Sequence, residues 1–119
     1  MERPSLIAVV DDDEDLRTAL GDLLESIGYA ARMYENADAL ITSGEVGIFD
    51  CIVSDIQMKG TSGLQLARTV RESDVPIILI TAFPTPEVQQ QAQAAGVRRL
   101  FIKPFNSQAL IDDLMSLFG

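Results

Sequence analysis

Four short apolar runs and one mixed run punctuate the chain, and between them the hydrophobic positions switch to helical spacing. Leu6 to Val10 is continuous and uncharged, the pattern of a central strand buried on both faces. Leu16, Ala19, Leu20, Leu23, Leu24 and Ile27 then recur at a helical period, with Asp13, Glu14 and Asp15 ahead of them and Gly28 behind. Acids at the start and glycine at the end are helix boundaries. Tyr29 to Tyr34 is a mixed run, which suits a sheet edge. Asn36 can cap a short helix carrying Leu40 and Ile41 and ended near Gly44. Cys51 to Ser54 predicts the third strand, and Gly60 to Gly63 a loop before a helix with Leu66, Ala67 and Val70. Pro76 to Ile80 predicts the fourth strand. Thr85, Pro86 and Gly96 read as cap, first position and terminator of a helix that turns Val88, Ala92 and Ala95 inward and glutamines outward. Leu100 to Ile102 is the last strand, and Asn106 opens a final helix burying Leu110, Ile111, Leu114 and Phe118.

Strand and helix alternating five times predict an α/β fold, a doubly wound five-stranded parallel sheet with right-handed crossovers and helices on both faces. Of the common doubly wound orders, five strands favour 2-1-3-4-5, the flavodoxin-like arrangement. The 119 residues, 47% of them hydrophobic, suit one domain spanning 1–119. No apolar stretch approaches the roughly 20 residues of a membrane span, and no signal-like start is present, so a cytoplasmic location is expected. Cys51, the only cysteine, lies in an apolar run and reads as a buried thiol. A net charge of -9 and the absence of histidine argue against direct nucleic-acid binding and remove histidine as acid, base, ligand or phosphocarrier.

Chemistry enters at the ends of the runs. Asp11 and Asp12 follow the first, Asp55 the third, Thr81 the fourth and Lys103 the fifth. In an open parallel sheet, groups at the carboxyl ends of the strands share one crevice. Taken singly, each has a plainer reading: acids at a helix start, an acid or threonine in a turn, a lysine whose stem lies along the surface. Their coincidence at four strand ends favours function. The first turn, Asp11-Asp12-Asp13-Glu14, is acidic where a flavin or dinucleotide phosphate wants glycines and free N–H groups, which excludes those ligands. Two carboxylates about 4 Å apart repel by about 4 kcal/mol at an effective dielectric of 20. A divalent cation removes the conflict, and an all-oxygen site suits Mg²⁺ rather than zinc. Carboxylate nucleophile, metal and lysine are together the parts of phosphoryl transfer to aspartate.

The motifs Val9-Val10-Asp11-Asp12, Ser54-Asp55-Ile56-Gln57-Met58, Gly63, Ile80-Thr81-Ala82 and Lys103-Pro104-Phe105 closely resemble, in order and over essentially the whole chain, the receiver domain of two-component response regulators. The texture around Asn36-Ala37-Asp38-Ala39-Leu40 is similar to the nitrogen-fixation regulator type. This resemblance implies that Asp55 is the phosphoacceptor for a sensor histidine kinase, phosphotransfer protein or small phosphodonor. Asp12, Asp55 and the backbone carbonyl of Gln57 would hold Mg²⁺, with Asp11 acting through water. Lys103 would contact the phosphoryl group, Thr81 would move to hydrogen-bond it, and small Ala82 would leave it room. Gln57 and Phe83 stand where the family tunes hydrolysis, Gly63 matches a motif position, and Lys103-Pro104 is cis in the family. The surface of the fourth helix, fifth strand and fifth helix would then switch.

Three positions depart from the family pattern. Lys59 stands in place of the usual proline after Met58, Thr61 in place of a larger apolar residue, and Leu100 in place of an aromatic switch residue. Phe101 is no substitute, since alternation puts it on the face of Lys103 and leaves Leu100 with Ile102. The chain is expected to be a signalling phosphoacceptor rather than an enzyme on outside substrates, either stand-alone or the N-terminal part of a longer regulator. The downstream effector or C-terminal output domain is expected outside it, and the oligomeric state to be monomer or weak phosphorylation-dependent homodimer. Two other readings compete: an Mg²⁺-dependent aspartyl-phosphate phosphohydrolase, which would need an acid where Gln57 stands, and a receiver used as a phosphorylation-independent binding module.

Overall fold

Continuous apolar strands need cover on both faces, and the computed structural model, which describes residues 3–118, provides it. Strands β1 (Leu6–Val10), β2 (Ala30–Tyr34), β3 (Cys51–Asp55), β4 (Ile77–Thr81) and β5 (Arg99–Ile102) alternate with helices α1 (Glu14–Ser26), α2 (Ala37–Ser43), α3 (Gly63–Val70), α4 (Pro86–Ala94) and α5 (Ser107–Phe118). Every strand pair is parallel, in the order β2-β1-β3-β4-β5. Side-chain alternation sorts the strands into two cores. Ala8, Val10, Ile52, Ile77 and Leu79 pack under α2, α3 and α4. Ile7, Val9, Val53, Ile78, Ile80 and Phe101 pack under α1 and α5, against Leu20, Leu24, Leu110 and Leu114.

The boundaries differ from expectation in informative ways. β3 and β4 each run one residue past their apolar stretch, so Asp55 and Thr81 are strand residues: main-chain pairing does not stop where the apolar side chains do. β4 begins at Ile77 rather than Pro76, which has no N–H for a ladder but still accepts a 2.9 Å bond from the Ile52 N–H. α1 ends at Ser26, and Ile27 is 38% exposed instead of inward. Gly28, at φ 96°, turns the chain there, and the Tyr29 N–H returns to the Leu24 carbonyl. Two short 3-10 turns, Val46–Ile48 and Arg71–Ser73, carry no hydrophobic period and were not foreseen.

Asp50 holds the start of the central strands. Its Oδ2 accepts the Leu6 N–H at 2.7 Å and pairs with Arg3 at 3.1 Å. Burial alone would raise this carboxyl, but the Leu6 N–H and the Arg3 guanidinium outweigh it and hold the group below its ordinary value of 3.8. A carboxylate held below its unfolded value stabilises the fold above that value, and the contribution is lost as pH falls through the folded one. Asp50→Asn should therefore be less stable than wild type at neutral pH by about 1 kcal/mol. Urea unfolding across a pH series should show the gap closing below about 3.8, the unshifted value; a gap independent of pH would show that ionisation is not its source.

Candidate functional site

The carboxyl edge of the sheet gathers groups from four strands. β1 ends into Asp11, β3 ends on Asp55, β4 ends on Thr81, and β5 leads directly into Lys103. Neighbouring registers make this exact enough for contact, since Asp55 lies opposite Ile80 and Thr81 opposite Ile102. Lys103 Nζ donates to Asp55 Oδ2 at 3.1 Å, and the Gln57 N–H reaches Asp55 Oδ1 at 3.4 Å. The peptide between Lys103 and Pro104 is cis. Asp11 and Asp55 are buried, whereas Asp12 is exposed at the rim and lies 3.4 Å from the Lys59 N–H.

Asp11 is the strained member of this group. Its Oδ1 accepts the Asp13 N–H at 2.9 Å, but its Oδ2 is fully buried with no hydrogen-bond partner. Burial pushes the Asp11 carboxyl above its ordinary range, and Asp55 and Asp12 push the same way, against the Asp13 N–H and Lys103. One oxygen from each of Asp11, Asp12 and Asp55 lies within 4.8 Å of the others. A carboxylate with one buried, unpartnered oxygen, clustered with two more carboxylates, fits a hard divalent cation with oxygen ligands, such as Mg²⁺.

Thr81 is fully buried. Its Oγ1 donates to Gln57 Oε1 at 3.0 Å and accepts the Phe83 N–H at 3.0 Å. Ala82 and Phe83 are exposed, Phe83 by 65%. Leu100 is half-buried on the α4 side with Ile102 beyond it in the open, while Phe101 is buried on the opposite face against Phe105. The alternation expected for β5 is the one observed. Lys103 and Ala82 also border an apolar groove of about 780 Å³ between α1 and the β5–α5 connection, lined by Leu16, Leu20, Leu23 and Phe105.

Several contributors were not foreseen. Arg17 donates to the Asp11 carbonyl at 2.8 Å, and Thr61, in the loop without proline, donates to Asp38 at 2.7 Å. Neither contact has a local sequence signal. The Ser62–Gln65 capping box that starts α3 does have one, a serine followed three residues later by glutamine. Gln57 is expected both as a metal ligand through its backbone carbonyl and at a position that tunes hydrolysis; its side-chain contact with Thr81 has no sequence signal.

A family model described as the response regulator receiver domain matches residues 7–115. The chain belongs to this receiver family. Among curated relatives of this receiver, the transcriptional regulatory protein ResD of Bacillus subtilis is 35% identical over 88% of the chain but 44% of its own length. The nitrogen-fixation-type relative suggested by sequence texture is present too: FixJ of Bradyrhizobium diazoefficiens is 30% identical over 87% of the chain and 52% of its own length. The receiver thus spans about half the length of these proteins. Among solved structures, the response regulator TrrA of Thermotoga maritima, in complex with Mg²⁺ and beryllofluoride, superposes with a TM-score of 0.84 at 30% identity, covering 95% of this chain and 98% of that one.

Gly63 shows how tightly the receiver's site is backed. A Cβ there would lie 2.3 Å from the Asp55 carbonyl oxygen, because α3 starts directly against the main chain that bears Asp55. Gly63→Ala must displace backbone, and overpacking of this kind costs about 1–3 kcal/mol. Chemical denaturation should show a loss in that range, and an unchanged midpoint would mean that α3 is free to move away.

Proposed function

We propose that this receiver accepts a phosphoryl group on Asp55 from the phosphohistidine of a sensor kinase or phosphotransfer protein, and loses it by hydrolysis. The observation that carries the reading is the Lys103–Asp55 pair at 3.1 Å beside the buried, unpartnered oxygen of Asp11. An Asp55 carboxylate oxygen would attack phosphorus, forming an O–P bond as the donor's N–P bond breaks and the imidazole nitrogen keeps the electron pair. Asp11, Asp12, Asp55 and the Gln57 carbonyl would hold Mg²⁺, whose charge would offset that of the phosphoryl oxygens. Lys103 would neutralise the same oxygens from the β5 side. Thr81 would donate its hydroxyl to the transferred group, with Ala82 too small to obstruct it. Phe83, apolar and 65% exposed, would hinder attacking water without orienting it and so tune the return step.

The consequence is a switch rather than turnover of an outside substrate. Movement of Thr81 would alter the segment leading into α4 and so the α4, β5 and α5 surface. With leucine at position 100, that surface has no aromatic reporter, and the main chain after Thr81 would carry the change. A phosphohydrolase is the weaker reading, since the position two beyond Asp55 holds an amide already engaged by Thr81. An effector or output domain, a phosphorylation-dependent homodimer and a cytoplasmic setting complete the proposal; no described helix is long and apolar enough to cross a membrane.

Acetyl phosphate with Mg²⁺ should add one phosphoryl group to the wild type and none to Asp55→Asn, read by intact mass. Equal labelling of the variant would move the acceptor elsewhere. Mg²⁺ alone should raise the melting temperature by a few degrees through mass action on the folded state. Asp12→Ala should abolish that rise, and a full rise in the variant would remove Asp12 from the metal site.

A further inference from the structure

We propose that the side chain of Gln57 is a positioning residue that holds the Thr81 hydroxyl in a resting orientation, so that activation must win this hydroxyl from an amide of the chain itself. The inference rests on Asp55 as acceptor and deepens that reading by adding its threshold.

A threonine hydroxyl has one hydrogen to donate. In this structure it goes to Gln57 Oε1 at 3.0 Å, while the Phe83 N–H occupies the oxygen's accepting side at 3.0 Å. Thr81 has no exposed surface, so water cannot take over as acceptor. An oxygen attached to Asp55 can receive the hydroxyl only when Gln57 gives it up. Gln57 is well placed for this control. It lies two residues past the end of β3, Thr81 is the last residue of the adjacent β4, and its own N–H faces Asp55 Oδ1 at 3.4 Å. The residue therefore touches both the acceptor and the group expected to respond to it.

The competition has a definite direction. A hydrogen bond to an ionised phosphoryl oxygen is roughly twice as strong as one to a neutral amide. Phosphorylation wins, but the Gln57 contact subtracts from its margin and keeps the unmodified chain in the resting state. Because the Phe83 N–H follows the same hydroxyl oxygen, release of Thr81 also frees the segment that ends in Thr85, the cap of α4. Gln57 thus sets how much of a given stimulus reaches the α4 surface.

Beryllofluoride with Mg²⁺, a phosphoryl mimic that takes no part in hydrolysis, separates this role from any effect on phosphoryl lifetime. Amide NMR shifts over residues 81–87 during a beryllofluoride titration measure the active fraction. Gln57→Met, similar in size but without the acceptor, should raise the apparent affinity about two- to ten-fold, the range set by the net worth of one hydrogen bond. Gln57→Asn, one methylene shorter, should act in the same direction because its carbonyl cannot reach Thr81. The effect of Gln57→Met should persist with Thr81→Ser, which keeps the hydroxyl, and vanish with Thr81→Ala, which lacks it. Equal affinity of wild type, Gln57→Met and Gln57→Asn would overturn the proposal. So would an unchanged gain with Thr81→Ala, which would make the role one of bulk alone. If instead Asp55→Asn responds to beryllofluoride as the wild type does, it is the assignment of Asp55 that fails.

Discussion

Repulsion among Asp11, Asp12 and Asp55 is the constraint around which the carboxyl edge of the sheet is organised. Three carboxylates with oxygens within 4.8 Å of one another would spread apart if their supports allowed it. They are not allowed to, because β1 and β3 are adjacent strands, buried but for Leu6, whose register is set by two packed cores. Lys103, delivered by β5 after Ile102, supplies the one cation that the described residues place in contact with Asp55. What remains uncompensated is concentrated on Asp11, whose Oδ2 is buried without a partner and whose carboxyl is raised by that burial. Such a site calls for positive charge, which the proposed Mg²⁺ would supply.

The backing of the site is rigid where the chemistry demands position and looser where a response is needed. Gly63 lets α3 begin against the Asp55 main chain, and the Ser62–Gln65 capping box holds that beginning in place. Arg17 and the Asp13 N–H restrain Asp11 from the α1 side. By contrast, the segment from Thr81 to Thr85 is mostly exposed and is tied to the site chiefly through one hydroxyl oxygen. Motion there breaks few buried contacts.

Lys59 and Thr61, two positions at which the sequence departs from the expected receiver pattern, lie in one loop, and a 2.7 Å bond from Thr61 ties that loop to Asp38 on α2. Leu100, the third such position, packs on the α4 side, while the adjacent Phe101 lies in the opposite core.

The fold, the strand order and the convergence of Asp11, Asp12, Asp55, Thr81 and Lys103 were legible in the chain because each depends on periodicity and on position at a strand end. Both are local properties, and a parallel α/β arrangement admits few alternatives once they are read. The extra strand residues at Asp55 and Thr81, the exposed Ile27 and the 3-10 turns were decided by main-chain hydrogen bonding, which hydrophobic patterning does not register. The unpartnered oxygen of Asp11, the tether from Thr61 to Asp38 and the grip of Gln57 on Thr81 were decided only by tertiary structure. The last two join residues brought together by different elements. A short polar side chain has no period of its own, and its partner is chosen by distance rather than by spacing along the sequence.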